Sequence, residues 1–204
     1  MTVVQRPRRQ RMPSAERAAD LRRVAEATFL DIGFHGASMS EIARRAGVTR
    51  AILYRHYTSK DELAAACLAA SRRYLQTLVD SDAGDLDPRE AMRAGSRQVM
   101  RFIGEHSRLF SIFLADDTFT GSEVRAEAEA IRDDLEQAAR AALRRAAPDV
   151  DPAAAQLIAR GLVGAGSRVA EGLDWTHSTP AELDQIADAA MALLWNGLGG
   201  LTTR

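Results

Sequence analysis

The stretch SMSEIARRAGVTRAILYRHYTSKDEL, residues 38–63, decides how the rest of the chain is read. Ser38-Met39-Ser40-Glu41 has the serine-to-glutamate spacing of a capping box: the Ser38 hydroxyl takes a backbone N–H near Glu41, and the Glu41 carboxylate reaches back. A short helix from Met39 to about Ala46 follows. Gly47 then supplies a tight turn, Val48 an inward apolar contact, and Thr49 a second N-cap for a short helix ending at Arg55 or His56. Two short helices joined at a glycine make a helix-turn-helix. Ser59-Lys60-Asp61-Glu62 repeats the capping pattern and opens a longer helix with Leu63, Cys67, Ala70, Tyr74 and Leu78 along one side.

Upstream, Leu21, Val24, Ala25, Thr28, Phe29 and Ile32 recur at steps of three and four residues, which predicts an amphipathic helix from Ser14 that Gly33 ends. Residues 1–13 hold arginines, two prolines and no acidic residue, and read as a flexible basic arm. Downstream, Pro88 is placed as a first helical residue. Helices are expected near 88–104, 107–115, 122–147 and from Pro152 to about Leu173, with a last one opening at Thr179-Pro180. Alanine is abundant and β-branched residues are few, so the chain is expected to be all-α. Hydrophobic residues make up 46% and charged residues 27% of the 204, a composition that supports a packed core. The single cysteine, Cys67, excludes an internal disulfide framework and reads as a buried helix residue. No run of 18 apolar residues and no apolar signal core is found, which predicts a soluble, cytoplasmic protein with no membrane partner.

The net charge of -1 conceals a division. Residues 1–60 carry twelve basic and five acidic side chains, a net of +7, and residues 61–204 carry fifteen basic and twenty-three acidic ones, a net of -8. A basic head on an acidic body is the footprint of a protein that turns one small module towards a polyanion.

The combination of Gly33-Phe34, Ser38, Ile42-Ala43, Ala46-Gly47-Val48-Thr49, Leu53-Tyr54, His56-Tyr57 and Ser59-Lys60-Asp61-Glu62-Leu63 resembles the N-terminal DNA-binding domain of the TetR family of bacterial transcriptional regulators. The resemblance covers about residues 14–67. It departs modestly from the family pattern, with Ala37-Ser38 where a pair of threonines is common. It implies a three-helix, homeodomain-like helix-turn-helix domain over residues 14–62, with the motif itself at 38–57. A helical ligand-binding and dimerisation domain would occupy residues 63–204.

A helix-turn-helix enters the major groove by the N-terminal end of its second helix, which puts Thr49, Arg50 and Ala51 nearest the base edges. Arg50 can donate two parallel hydrogen bonds to guanine O6 and N7, and Thr49 and Ala51 are small enough to let the helix approach. By resemblance, Ser40 on the preceding helix reaches a base or phosphate, and Tyr54, His56 and Lys60 contact phosphates. Ser38 is expected to serve as both cap and phosphate donor. Leu53 and Tyr57 are read as core. Arg44 and Arg45 divide between a solvated face and backbone contact. Arg6, Arg8, Arg9 and Arg11 resemble a groove-tracking arm, with a solvated tail as the alternative.

The resemblance also implies a homodimer held by the last two long helices and an operator of two-fold symmetry in double-stranded DNA. Gly161, Gly164, Ala165 and Gly166 would permit close approach, and Leu183, Ile186, Ala190, Leu193 and Leu194 form an apolar stripe that would serve equally as an ordinary core. It further implies a small-molecule effector of unknown identity in a pocket among the middle helices. Met100, Ile103, His106, Phe110, Phe113, Phe119 and Trp175 are the lining candidates, with Arg168 and His177 as polar anchors. No cofactor and no metal is expected, and the absence of a Gly-rich phosphate loop or nucleophile elbow argues against an enzyme. The expected function is a dimeric repressor that an apolar or amphipathic effector releases from its operator. An activator or effector-independent regulator of the same family is the alternative, and a helical carrier or enzyme is the alternative from another class.

Overall fold

A computed structural model describes residues 14–79, 86–106, 122–173 and 178–199. The described residues are helical with no strands, in the order α1 (Ser14–Gly36), α2 (Met39–Arg45), α3 (Arg50–His56), α4 (Lys60–Val79), α5 (Pro88–His106), α6 (Ser122–Ala146), α7 (Pro152–Gly172) and α8 (Pro180–Gly199). The arm at 1–13 and the short helix expected at 107–115 lie outside the described residues. The chain separates into two compact units, Met1–Ala64 and Ala65–Arg204.

In the first unit, the periodic residues of α1 point inward as expected: Leu21, Ala25, Thr28 and Phe29 are fully buried. Ile32, which belonged to that series, is 40% exposed instead. The reason is next door, because Gly33 has φ 74° and ψ 160°, which kinks the helix. Phe34 beyond the kink takes the inward position, its ring 5.3 Å from that of Phe29. The two seven-residue helices α2 and α3 are too short to hold themselves together and depend on caps and packing. Ile42 and Ala43 bury one face of α2, and Leu53 alone anchors α3 fully. Gly47 joins them at φ 64°, a conformation costly for any residue with a Cβ.

In the second unit α5 packs along α8 and α6 along α7, with α5 also against α6. Met92, Leu143, Ala155 and Met191 form one apolar cluster, joined by Leu194 and Trp195, and Met100, Leu183 and Ala187 form another, joined by Ile186. Arg93, Arg97 and Arg101 recur every four residues on α5, facing Asp184 and Asp188 on α8. Arg93 Nε and Nη2 grip Asp188 at 2.8 and 2.7 Å, Arg97 Nε reaches the same carboxylate at 2.7 Å, and Arg101 Nε reaches Asp184 at 2.7 Å. The two guanidiniums beside Asp188 hold its carboxyl far below the usual range. Similarly, Arg72 of α4 donates to both oxygens of Asp134 of α6, at 2.7 and 3.1 Å. On α4 the buried side runs through Leu63, Cys67, Leu68 and Leu75, leaving Tyr74 45% exposed with its ring 5.4 Å from Phe102.

The apolar stripe read along the last helix divides between two faces. Leu183 is 2% exposed and belongs to the core of this unit, and Ile186 and Leu194 pack against the two clusters, so these three do not form an open face. Leu193, by contrast, is 76% exposed, and Ala190 is exposed beside it. The difference follows from the 100° step between residues: α8 buries Leu183, Ala187 and Met191 along one line, and Leu193 falls away from it. On α7 the exposed residues include Gly161, Gly164 and Ala165, together with Leu157 at 68% and Val169 at 42%.

Candidate nucleic-acid interface

The caps that frame the motif form as the side-chain chemistry requires, with two changes of partner. Ser38 Oγ accepts from Glu41 N at 3.2 Å, and Thr49 Oγ1 accepts from Ile52 N at 3.3 Å. Each hydroxyl therefore keeps its own O–H for a further acceptor. Glu41, expected to reach back to the cap, instead takes Arg44 Nε and Nη2 at 2.8 and 2.7 Å and Arg45 Nε at 2.8 Å. Two guanidiniums one turn away offer a charged partner that a neutral amide does not match. They pull the Glu41 carboxyl down to about 2, with the Arg44 hydrogen bonds as the largest cause. Arg45 extends the chain of charges to Asp31 on α1 at 2.8 Å. At the third cap, Glu62 N donates to Ser59 Oγ at 2.9 Å, while Glu62 Oε2 accepts from both the N–H and the hydroxyl of Thr58 at 2.6 Å.

These anchors set the angle of α3. Tyr57, 6% exposed, donates its hydroxyl to Ala18 O at 3.2 Å and accepts from Arg22 Nη1 at 3.2 Å, which ties the end of α3 to α1. With Leu53 inward, the opposite side of α3 is left open: Thr49, Arg50, Ala51, Tyr54 and Arg55 are all exposed, as is Ser40 on α2. The guanidinium of Arg50 lies 5.8 Å from the centre of the Tyr54 ring. His56 is half-buried, its ring 6.4 Å from that of Tyr57.

Lys60 is more constrained than a surface phosphate ligand. Its ammonium donates to Phe34 O at 2.8 Å and Ala37 O at 3.1 Å, and lies 4.2 Å from the centre of the Phe34 ring. It thereby caps the carbonyls freed where α1 ends, using two of its three N–H groups. Partial burial lowers its pKa. Sequence reasoning missed this use, and the Arg22–Tyr57 clamp, because neither partner is near in the chain. The arginines of the Arg6–Arg11 arm lie outside the described residues.

The second unit brings together only part of the expected pocket. Met100 and Ile103 are buried, with Met100 in the cluster around Leu183, whereas Arg168 is exposed on α7. Phe110, Phe113, Phe119, Trp175 and His177 lie outside the described residues, as does the side chain of His106. A recess of about 400 Å³ opens elsewhere, between α5 and α8, lined by Arg89, Glu90, Arg93, Asp188, Met191, Ala192 and Trp195. None of the expected pocket residues lines it. Among the described residues no group of His, Cys, Asp and Glu side chains is arranged to hold a metal, and no helix is long and apolar enough to cross a membrane.

Comparison with known proteins bears on both units. The family profile of bacterial regulatory proteins, tetR family, matches residues 21–67, which spans α1 to the first half of α4. Over 193 residues the chain is 30% identical to the HTH-type transcriptional activator FasR of Mycolicibacterium smegmatis, covering 92% of this chain and 85% of that one. A TetR-like transcriptional regulator from Rhodococcus sp. RHA1 superposes with a TM-score of 0.74 at 31% identity, over 93% of this chain and all of that one. A tetR-family transcriptional regulator from Streptomyces coelicolor gives 0.71 at 25% identity, over 90% of this chain and 82% of that one. With the family profile on its helix-turn-helix and relatives matched along almost its whole length, the chain belongs to the TetR family of DNA-binding transcriptional regulators, which are not enzymes.

Proposed function

We propose that the chain acts in the cytoplasm as a homodimer on a two-fold operator and changes its hold on that operator when a small apolar or amphipathic molecule binds. The open N-terminal end of α3 carries this reading. There Arg50 reads a guanine, Thr49 and Ala51 admit the helix to the groove, and Ser40 reaches the adjacent base or phosphate. Ser38, Tyr54, His56 and the remaining N–H of Lys60 fix the register on phosphates. Residues 14–62 do this work, assisted by the arm at 1–13, and residues 63–204 hold the effector and the second copy.

Dimerisation is supported by the apolar surface on α7 and α8, where Leu157 and Leu193 are 68% and 76% exposed beside Gly161, Gly164, Ala165 and Ala190. Effector and operator are coupled through a shift of populations: a molecule that favours the protein with its two reading helices wrongly spaced weakens DNA binding. A 100-fold loss of operator affinity requires only about 2.7 kcal/mol of such coupling.

In the first reading the bound dimer represses by occlusion. In the second it activates, a reading favoured by the 30% identity to a relative named as a transcriptional activator. Selecting duplexes from a random pool with the full chain, then placing the selected site in front of a reporter, tests both. A two-fold consensus with expression lowered by the protein supports repression, and raised expression supports activation. Failure to enrich any sequence would refute operator reading altogether.

A further inference from the structure

Arg50 stands apart from the other arginines around the turn. Arg44 gives Nε and Nη2 to Glu41, and Arg45 gives Nε to Glu41 and Nη1 to Asp31. Arg50 has no carboxylate partner among the described residues, and its guanidinium carbon lies 5.8 Å from the centre of the Tyr54 ring, a helical turn later. Arginine has many rotamers, and freezing one of them on DNA costs entropy unless something holds it beforehand. A carboxylate would hold it by the N–H edges that guanine needs. An aromatic ring attracts the cation through its quadrupole and leaves those edges uncommitted.

We propose that Tyr54 is a positioning residue for base reading: its ring holds the Arg50 guanidinium ready for guanine, a task separate from any contact its hydroxyl makes with phosphate. This inference rests on Arg50 being the base reader and goes beyond it, because it makes sequence discrimination depend on a side chain that touches no base. Both residues lie on α3 one helical turn apart, and at 42% exposure Tyr54 can be changed without opening the core.

The test uses the full chain and two duplexes: the best one selected from a random pool, and the same duplex with adenine at the guanine position whose preference Arg50→Ala abolishes. The readout is the ratio of the two affinities. Tyr54→Phe keeps the ring and loses the hydroxyl, so it is expected to weaken both duplexes alike and leave the ratio unchanged. Tyr54→Leu loses the ring, and the ratio is expected to fall roughly two- to five-fold. In an Arg50→Ala background, Tyr54→Leu should leave the ratio where Arg50→Ala put it. Tyr54→Gln, a good helix former, repeats the ring deletion if the leucine variant melts early. Equal ratios for the phenylalanine, leucine and glutamine variants would overturn the inference while leaving Arg50 as reader. If Arg50→Ala itself keeps every base preference, the reading of Arg50 fails, and the positioning role falls with it.

Discussion

The arginines that join the helices of the second unit and those on α3 of the first are used in opposite ways. In the second unit Arg72, Arg93, Arg97 and Arg101 each grip an aspartate on another helix, so their charge is spent on holding α4 to α6 and α5 to α8. On α3 of the first unit Arg50 and Arg55 are exposed, and Arg50 faces a ring rather than a carboxylate. Both units contain abundant arginine, but carboxylates are outnumbered in residues 1–60 and in excess in residues 61–204. The proposed DNA surface arises by withholding acidic partners from selected arginines, while nearby Arg44 and Arg45 are paired with Glu41 on α2 and Arg45 also joins α2 to Asp31 on α1.

This contrast can be broken at several points. The largest effect is expected from Leu53→Ala, which empties the one fully buried position of α3 and should destabilise the first unit by about 2–5 kcal/mol. Denaturant unfolding followed by circular dichroism would register it, and a loss of under about 1 kcal/mol would mean α3 is anchored some other way. Next, Arg50→Ala should remove roughly 1–3 kcal/mol of discrimination at one or two operator positions with the melting temperature unchanged. A drop in melting temperature would place Arg50 with the structural arginines instead. Gly47→Ala forces a Cβ onto φ 64° in a spot where, beyond its own chain neighbours, no heavy atom lies within 4 Å, so the cost is backbone strain alone, about 1 kcal/mol. Smaller still, Asp188→Asn should lower the thermal midpoint while leaving the selected operator sequence as it was; a changed sequence preference would show that the α5–α8 ladder reaches beyond stability.

Acid provides the last test. Glu41 titrates at about 2 in the folded chain against 4.5 when unconstrained. The unfolded state therefore takes up a proton first, and the stability this group contributes is complete above pH 4.5 and is lost as pH falls towards 2. Glu41→Gln should flatten that part of the stability profile of the first unit. An unchanged slope would put the acid sensitivity on other carboxylates.

What could be read from the sequence alone was what is local. Caps at Ser38, Thr49 and Ser59 and the turn at Gly47 are set by residues three or four apart, and all are present. The partner of Glu41 was misread because two charged groups competed with the cap N–H within the same turn. For Lys60 the sequence suggests a phosphate contact and gives no sign of the carbonyls it also holds, because Phe34 O and Ala37 O lie more than twenty residues back. The pairing of Arg93 with Asp188 spans 95 residues. Its four-residue spacing, repeated at Arg97 and Arg101 opposite Asp184 and Asp188, was nevertheless a legible signal. The stripe on α8 left two readings open for a different reason: a helix apolar on more than one side does not say which side packs within its own unit.

The single anchor of α3 has a bearing on how such a protein diverges. Only Leu53 of its seven residues is committed to the interior, and the helix ends are fixed by Thr49 and Tyr57 from outside its span. Most of the remaining positions can therefore mutate at little cost to folding. A duplicated copy of this chain would be able to drift from one operator to another through exposed substitutions alone, its scaffold intact at every intermediate.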